Sequence, residues 1–107
     1  MKYTDETGST LEVKYIIGLM YFIITLSDGR FLVCTFSESK AKNFTGIIDN
    51  HEVATELDLG CDSLNFIHLR GGGLGLSIHS KGMTMGIALN KEQAQELNRW
   101  LYQVQAL

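Results

Sequence analysis

The sequence contains no proline and only two cysteines in 107 residues. Without proline, element boundaries rest on glycines and on helix-capping residues. Cys34 and Cys61 belong to no CxxC pattern, so neither a zinc motif nor a disulfide framework is written in the chain. Both lie beside or within apolar sequence, and free buried thiols are the expectation. MKYTDETGST has no apolar core of the kind a secretory leader needs. The most apolar stretch, Tyr15 to Leu26, contains Gly18 and is too short to span a bilayer. A cytoplasmic location with no membrane partner follows by elimination.

Concentrated positive charge is also missing. The nine lysines and arginines are scattered singly and the net charge is −3. That argues against nucleic acid, which needs a gathered positive surface. The one run of a single sign is acidic: Asp49, Glu52, Glu56, Asp58 and Asp62, with no lysine or arginine between them. No serine sits in a G-x-S-x-G elbow, and neither cysteine has a base placed nearby in sequence. No catalytic residue, metal or cofactor is assigned.

What is present suffices for a core. A chain of this length buries roughly two thirds of its extended surface, and 45% of its residues are apolar. We expect one domain over residues 1–107, with residues 1–9 as a polar arm. Leu11, Val13, Tyr15 and Ile17 alternate with polar residues, as in a strand with one buried face. Residues 20–26 and 31–36 are apolar on both faces, and Asp28-Gly29 between them predicts a hairpin. Residues 38–48 have helical spacing at Ala41, Phe44, Ile47 and Ile48, weakened by Gly46, so helix and loop both remain open. From Glu52 alternation predicts Val53, Thr55, Leu57 and Leu59 inward and Glu52, Glu56 and Asp58 outward. Strands follow over 64–69, 74–79 and 83–89. Asn90 and Gln93 form a capping box before a helix over 90–105, whose stripe is Ala94, Leu97, Leu101 and Val104 with Trp100 beside it. The predicted class is α+β: a strongly bent antiparallel sheet or partly open barrel of six or seven strands, covered by an amphipathic C-terminal helix.

Two resemblances attach to these elements. Many strands followed by a final helix resemble pleckstrin-homology-like domains, in element order alone. Gly86-Ile87-Ala88-Leu89-Asn90-Lys91-Glu92-Gln93 resembles the strand-to-helix junction of the transcriptional coactivator family that binds single-stranded DNA as a dimer. The second resemblance implies a sheet that carries nucleic acid and a following helix that helps form the dimer.

Three functions are expected in descending order. The first is a non-enzymatic binding or regulatory protein acting through protein contacts, with a protein partner or a homodimer. Its contact residues are Tyr21, Phe22 and Ile24 on the two-sided hairpin and Glu52, Glu56 and Asp58 on the acidic strand. The second is a single-stranded nucleic-acid binder using Arg30, Arg70, Lys81 and exposed aromatics. The third is a small hydrolase or ligand pocket in which His68 and His79 flank Arg70, Gly71, Gly72 and Gly73 as an anion-binding loop.

Overall fold

The computed structural model describes all of residues 1–107. Four strands, β1 (Lys2–Thr4), β2 (Thr10–Ile16), β3 (Leu19–Thr25) and β4 (Phe31–Ser37), form one antiparallel sheet in chain order. A 3-10 turn (Glu38–Lys40) leads into helix α1 (Ala41–Asp49). Strands β5 (Ala54–Leu57), β6 (Ser63–His68), β7 (Leu74–Ser80) and β8 (Met83–Leu89) form a second antiparallel sheet, again in chain order. Helix α2 (Lys91–Gln105) follows. The fold is α+β as expected, but the single bent sheet of six or seven strands is corrected to two four-stranded sheets that do not close into a barrel. The cause is α1, which lifts the chain off the first sheet before β5 can pair with β4. A helix in mid-chain also departs from the pleckstrin-homology-like order.

Local chemistry explains most boundaries. Gly29 turns with φ +90°, while the Asp28 carboxylate accepts the Arg30 N–H at 3.0 Å and its Nε–H at 2.8 Å. Ile17-Gly18 and Lys81-Gly82 are two-residue turns with positive φ throughout, which matches the twist of the strands they join. Ile17 is therefore 96% exposed at a turn rather than inward. The capping box is formed: Asn90 Oδ1 accepts from Gln93 N–H at 2.8 Å and Gln93 Oε1 from Asn90 N–H at 3.0 Å. In α1, Gly46 costs about 1 kcal/mol relative to alanine. Burial of Phe44, roughly 1.5–3 kcal/mol, outweighs it. The Phe44 ring lies 4.9 Å from Phe36 of the first sheet and 5.2 Å from Phe66 of the second, so helix and sheets share one core.

The two halves repeat each other. A shift of 53 positions (58 − 5) carries Asp5 onto Asp58, Leu11 onto Leu64, Cys34 onto Ile87, Phe44 onto Leu97 and Ser37 onto Asn90. The strand register agrees. Val13–Phe22–Cys34 in the first sheet corresponds to Phe66–Leu76–Ile87 in the second, and Tyr15–Met20–Phe36 to His68–Leu74–Leu89. Each half is thus ββββα, and α1 and α2 pack together antiparallel, with Asp49 bonded to Asn98 and Tyr102. One chain carries two copies of a sheet–helix unit, a period that composition and motif reading had missed because few residues are identical between the copies.

Equivalent loops join the halves. Asp5 Oδ1 accepts the amides of Thr7 and Ser9 at 2.9 and 3.1 Å, and Asp58 Oδ1 those of Gly60 and Asp62 at 2.8 and 2.9 Å. Gly8 and Cys61 occupy the same left-handed position, with φ +85° and +67°. Asp58 then reaches across to the outer edge of β4, accepting the Thr35 N–H at 2.9 Å. Ala88 in β8, the counterpart of Thr35, lies near Asp5, and its backbone helps lower the Asp5 pKa. Burial raises the Asp5 pKa, but hydrogen bonds from the Thr7 side chain and from the amides of Thr7 and Ser9, together with the Ala88 backbone, hold it below its usual 3.8.

Two expectations about faces are corrected. The polar arm contains β1, with Tyr3 buried opposite Leu11. Strand β5 runs with the opposite parity to the alternation pattern: Val53, Leu57 and Leu59 are 77%, 61% and 64% exposed, while Glu56 lies half-buried on the side of Leu64. Lys40 supplies its counter-charge at 3.5 Å. The register follows from the Asp58 loop, which anchors the end of β5 against β4, and not from the apolar residues of the strand.

Asp5→Ala and Asp58→Ala each remove the acceptor of several amides, and each variant should lose about 1–3 kcal/mol in urea unfolding. The depressed Asp5 pKa adds stability that is complete above the unfolded carboxylate range and is lost as pH falls through the folded value. Acid titration of stability below about pH 4 should therefore be shallower in Asp5→Ala than in the wild type.

Candidate functional site

Two regions gather uncommitted side chains. The first is the corner where each β-ladder meets its helices. In the first half, Tyr15 ends the ladder beside the tight turn Ile17-Gly18, and its hydroxyl donates to Glu38 at the head of the α1 region. That bond, with burial and the nearby carboxylate charge, raises the Tyr15 pKa. In the second half the same ladder position is His68, and the 53-residue shift (91 − 38) puts Lys91 where Glu38 stands. The turn here is longer, running through Arg70-Gly71-Gly72 with φ of +73° and +86° at the two glycines. Gly73 must be glycine, because a Cβ would lie 2.8 Å from the Leu89 carbonyl oxygen.

The outcome is a cavity of about 400 Å³ between the glycine turn and the two helices. His51, just after α1, brings its ring to 4.9 Å from that of His68. Asp49 accepts from Asn98 Nδ2 at 2.8 Å and from the Tyr102 hydroxyl, so both its oxygens are engaged. His68 Nε2 and Asn98 Oδ1 are buried without any hydrogen-bond partner. Lys91 lies along Gly72 with its aliphatic stem.

Of the residues expected around an anion loop, His68 and Gly71, Gly72 and Gly73 line this cavity, while Arg70 is exposed and borders a separate open cleft with Asp5, Glu6 and Asn90. His79 is not brought to it. It faces outward at the far end of β7, pairs with Ser63 in register and bonds Thr84 Oγ1 at 2.8 Å. His51 had no local motif to announce it. No group of three or more His, Cys, Asp and Glu side chains is placed to hold a metal ion.

The second region is the outer faces of the sheets. The inner faces carry the core, and both helices pack on that side. On the first sheet the outward rows are Lys2–Glu12–Ile23–Val33, Lys14–Tyr21–Thr35 and Thr4–Thr10–Thr25–Phe31. Phe31 is 61% exposed and Ile16 49%. On the second sheet the equivalent rows are Thr55–Asn65–Ser77–Gly86 and Ile67–Gly75–Ala88. Small residues there leave a shallow hollow of about 240 Å³. The same scaffold thus bears a bulky outer face on one sheet and a smooth one on the other.

The expected contact residues divide accordingly. Tyr21 is on the outer face, but Phe22 and Ile24 are fully buried and offer no surface, which corrects their assignment. Glu52 is exposed, whereas Glu56 pairs with Lys40 and Asp58 organises its loop. Arg30, Arg70 and Lys81 occupy three separate turns, with Arg70 and Lys81 at opposite ends of β7.

Matched against known protein families and against curated proteins, the chain shows no similarity to any.

Cys34 is fully buried, and burial, reinforced by the charges of Asp58 and Asp62, pushes its thiol up to about 12. It is no nucleophile near neutral pH. Cys61 is exposed. A thiol reagent at pH 8 should label one site, Cys61, in the folded protein and two after denaturation; rapid labelling of Cys34 in the fold would contradict the packing.

Proposed function

We propose that the protein is a non-enzymatic binding protein that works through protein contacts on the outer face of its first sheet, with a second copy of itself as the partner. The observation that carries this reading is the outward cluster of Tyr21, Ile23, Val33 and Phe31, which neither helix covers. Apolar and aromatic side chains held on a rigid sheet form the desolvated centre of an interface. Glu12 lies on the same face as Lys2 and Lys14, so a two-fold axis that passes between Glu12 and Lys14 sets unlike charges opposite one another. No helix is long and apolar enough to cross a membrane.

A second reading has its own support. The unit of sheet followed by helix occurs twice, with α1 packed against α2. That is what the likeness of Gly86–Gln93 to the DNA-binding coactivator junction implies for two subunits. Tyr21 and Phe31 are stacking surfaces for bases, with Lys2 and Lys14 beside them for phosphates. The small number of cations ranks it second.

Sedimentation velocity from micromolar to near-millimolar concentration tests the first reading. We expect a monomer–dimer equilibrium that Ile23→Lys weakens at least tenfold, about 1.4 kcal/mol. The new ammonium lies across from Glu12, which preserves the fold. A monomer throughout, or a dimer indifferent to Ile23→Lys, removes the homodimer. Titration of labelled single-stranded oligonucleotides at low salt tests the second: salt-sensitive binding lost in Tyr21→Ala supports it, and no binding ends it.

A further inference from the structure

The repeat supplies an internal control for the cavity at the second corner. In the first half the corner is bridged: the Tyr15 hydroxyl donates to Glu38. In the second half the scaffold is the same, but the aromatic phenol is replaced by His68 and the carboxylate by Lys91. Two nitrogen groups now stand where an acid and its donor bridged the first corner. The hairpin beside them is lengthened by one residue, as the shift between the ladders changes from 53 (66 − 13) to 54 (76 − 22) across it. That added glycine-rich turn holds the corner open.

The groups left in the open corner specify a ligand. His51 and His68 present imidazoles 4.9 Å apart between ring centres, and Lys91 lies at the rim. These are partners for an oxyanion. Asn98 has given its amide hydrogen to Asp49, so its Oδ1 remains as a buried acceptor that needs a donor. An unmet buried acceptor costs about 1–3 kcal/mol. A ligand that answers both requirements carries oxyanion oxygens and an O–H on the same small group, as hydrogen phosphate does. A cavity of about 400 Å³ has room for such a group.

We propose that this cavity binds hydrogen phosphate, with His68, His51 and Lys91 on its oxyanion oxygens and its O–H donating a hydrogen bond to Asn98 Oδ1. The site lies on the helix side of the second sheet, away from the outer face of the first, and stands independently of the protein-contact reading.

Inorganic phosphate is the probe, followed through the histidine ring signals in NMR at constant ionic strength and pH. His51 and His68 should shift saturably, and His79, bonded to Thr84 on the outer face, should not. Sulfate, which has no proton to offer Asn98 near neutral pH, should bind at least several-fold more weakly. The double variant His68→Tyr/Lys91→Glu rebuilds the first corner in the second and should lose phosphate binding at least tenfold while unfolding as cooperatively as the wild type. If that variant fails to fold, Lys91→Glu alone, which sets an exposed carboxylate against the anion, should weaken binding at least tenfold. Equal shifts at all three histidines, equal affinity for sulfate, or unchanged binding in the folded variants would overturn the proposal.

Discussion

The structure depends on how two sheets, each ending in an open strand edge, are joined. An exposed edge presents a row of unpaired amides and carbonyls and invites pairing with other chains. Here the edge of β4 is met by the Asp58 loop of the other half, through the Thr35 amide and a bond from the Leu59 N–H to the Thr35 carbonyl. The Asp5 loop lies near β8 at Ala88, the counterpart of Thr35. Each carboxylate organises its own turn, and Asp58 then reaches the opposite half, so local turn formation and assembly of the halves are coupled. With the β4 edge engaged, the inner faces and both helices close around Phe44.

The repeat makes the chain a dimer of ββββα units in one polypeptide, and a covalently joined pair is free to diverge in a way that identical subunits are not. Core positions have kept their character: Leu11 and Leu64, Phe22 and Leu76, Ala41 and Ala94 occupy equivalent places. The departures concentrate at the outer faces, where Tyr21 and Val33 are answered by Gly75 and Gly86, and at the corners, where Tyr15 and Glu38 are answered by His68 and Lys91. Packing constrains the first set. Nothing in the fold requires the second set to differ, so the differences point to the surfaces in use.

Legibility in the sequence followed the range of the interaction. The Asp28-Gly29 hairpin, the capping box at Asn90 and the stripe of α2 depend on residues within a few positions of one another, and all are formed. The glycine turn at 71–73 was readable as a loop, and His68 as its neighbour. His51 was not, because it meets His68 only after α1 and the second sheet pack. In sequence His68 and His79 flank one glycine loop. The register instead sets His68 beside Leu74 and His79 beside Ser63, at opposite ends of the pair.

By itself the sequence determined the α+β class, the Asp28-Gly29 hairpin turn, the inward parity of β2 over most of its length, and the terminal helix, because periodicity and capping are short-range. Only the tertiary structure decided that there are two sheets and not one, that residues 41–49 form a helix, and that β5 turns Glu56 inward and Leu57 outward. A four-residue strand has too little apolar area to set its own register, so the Asp58 clasp on β4 sets it. The same distant contacts decided that the second corner stays open while the first is bridged, a difference no single stretch of the chain contains.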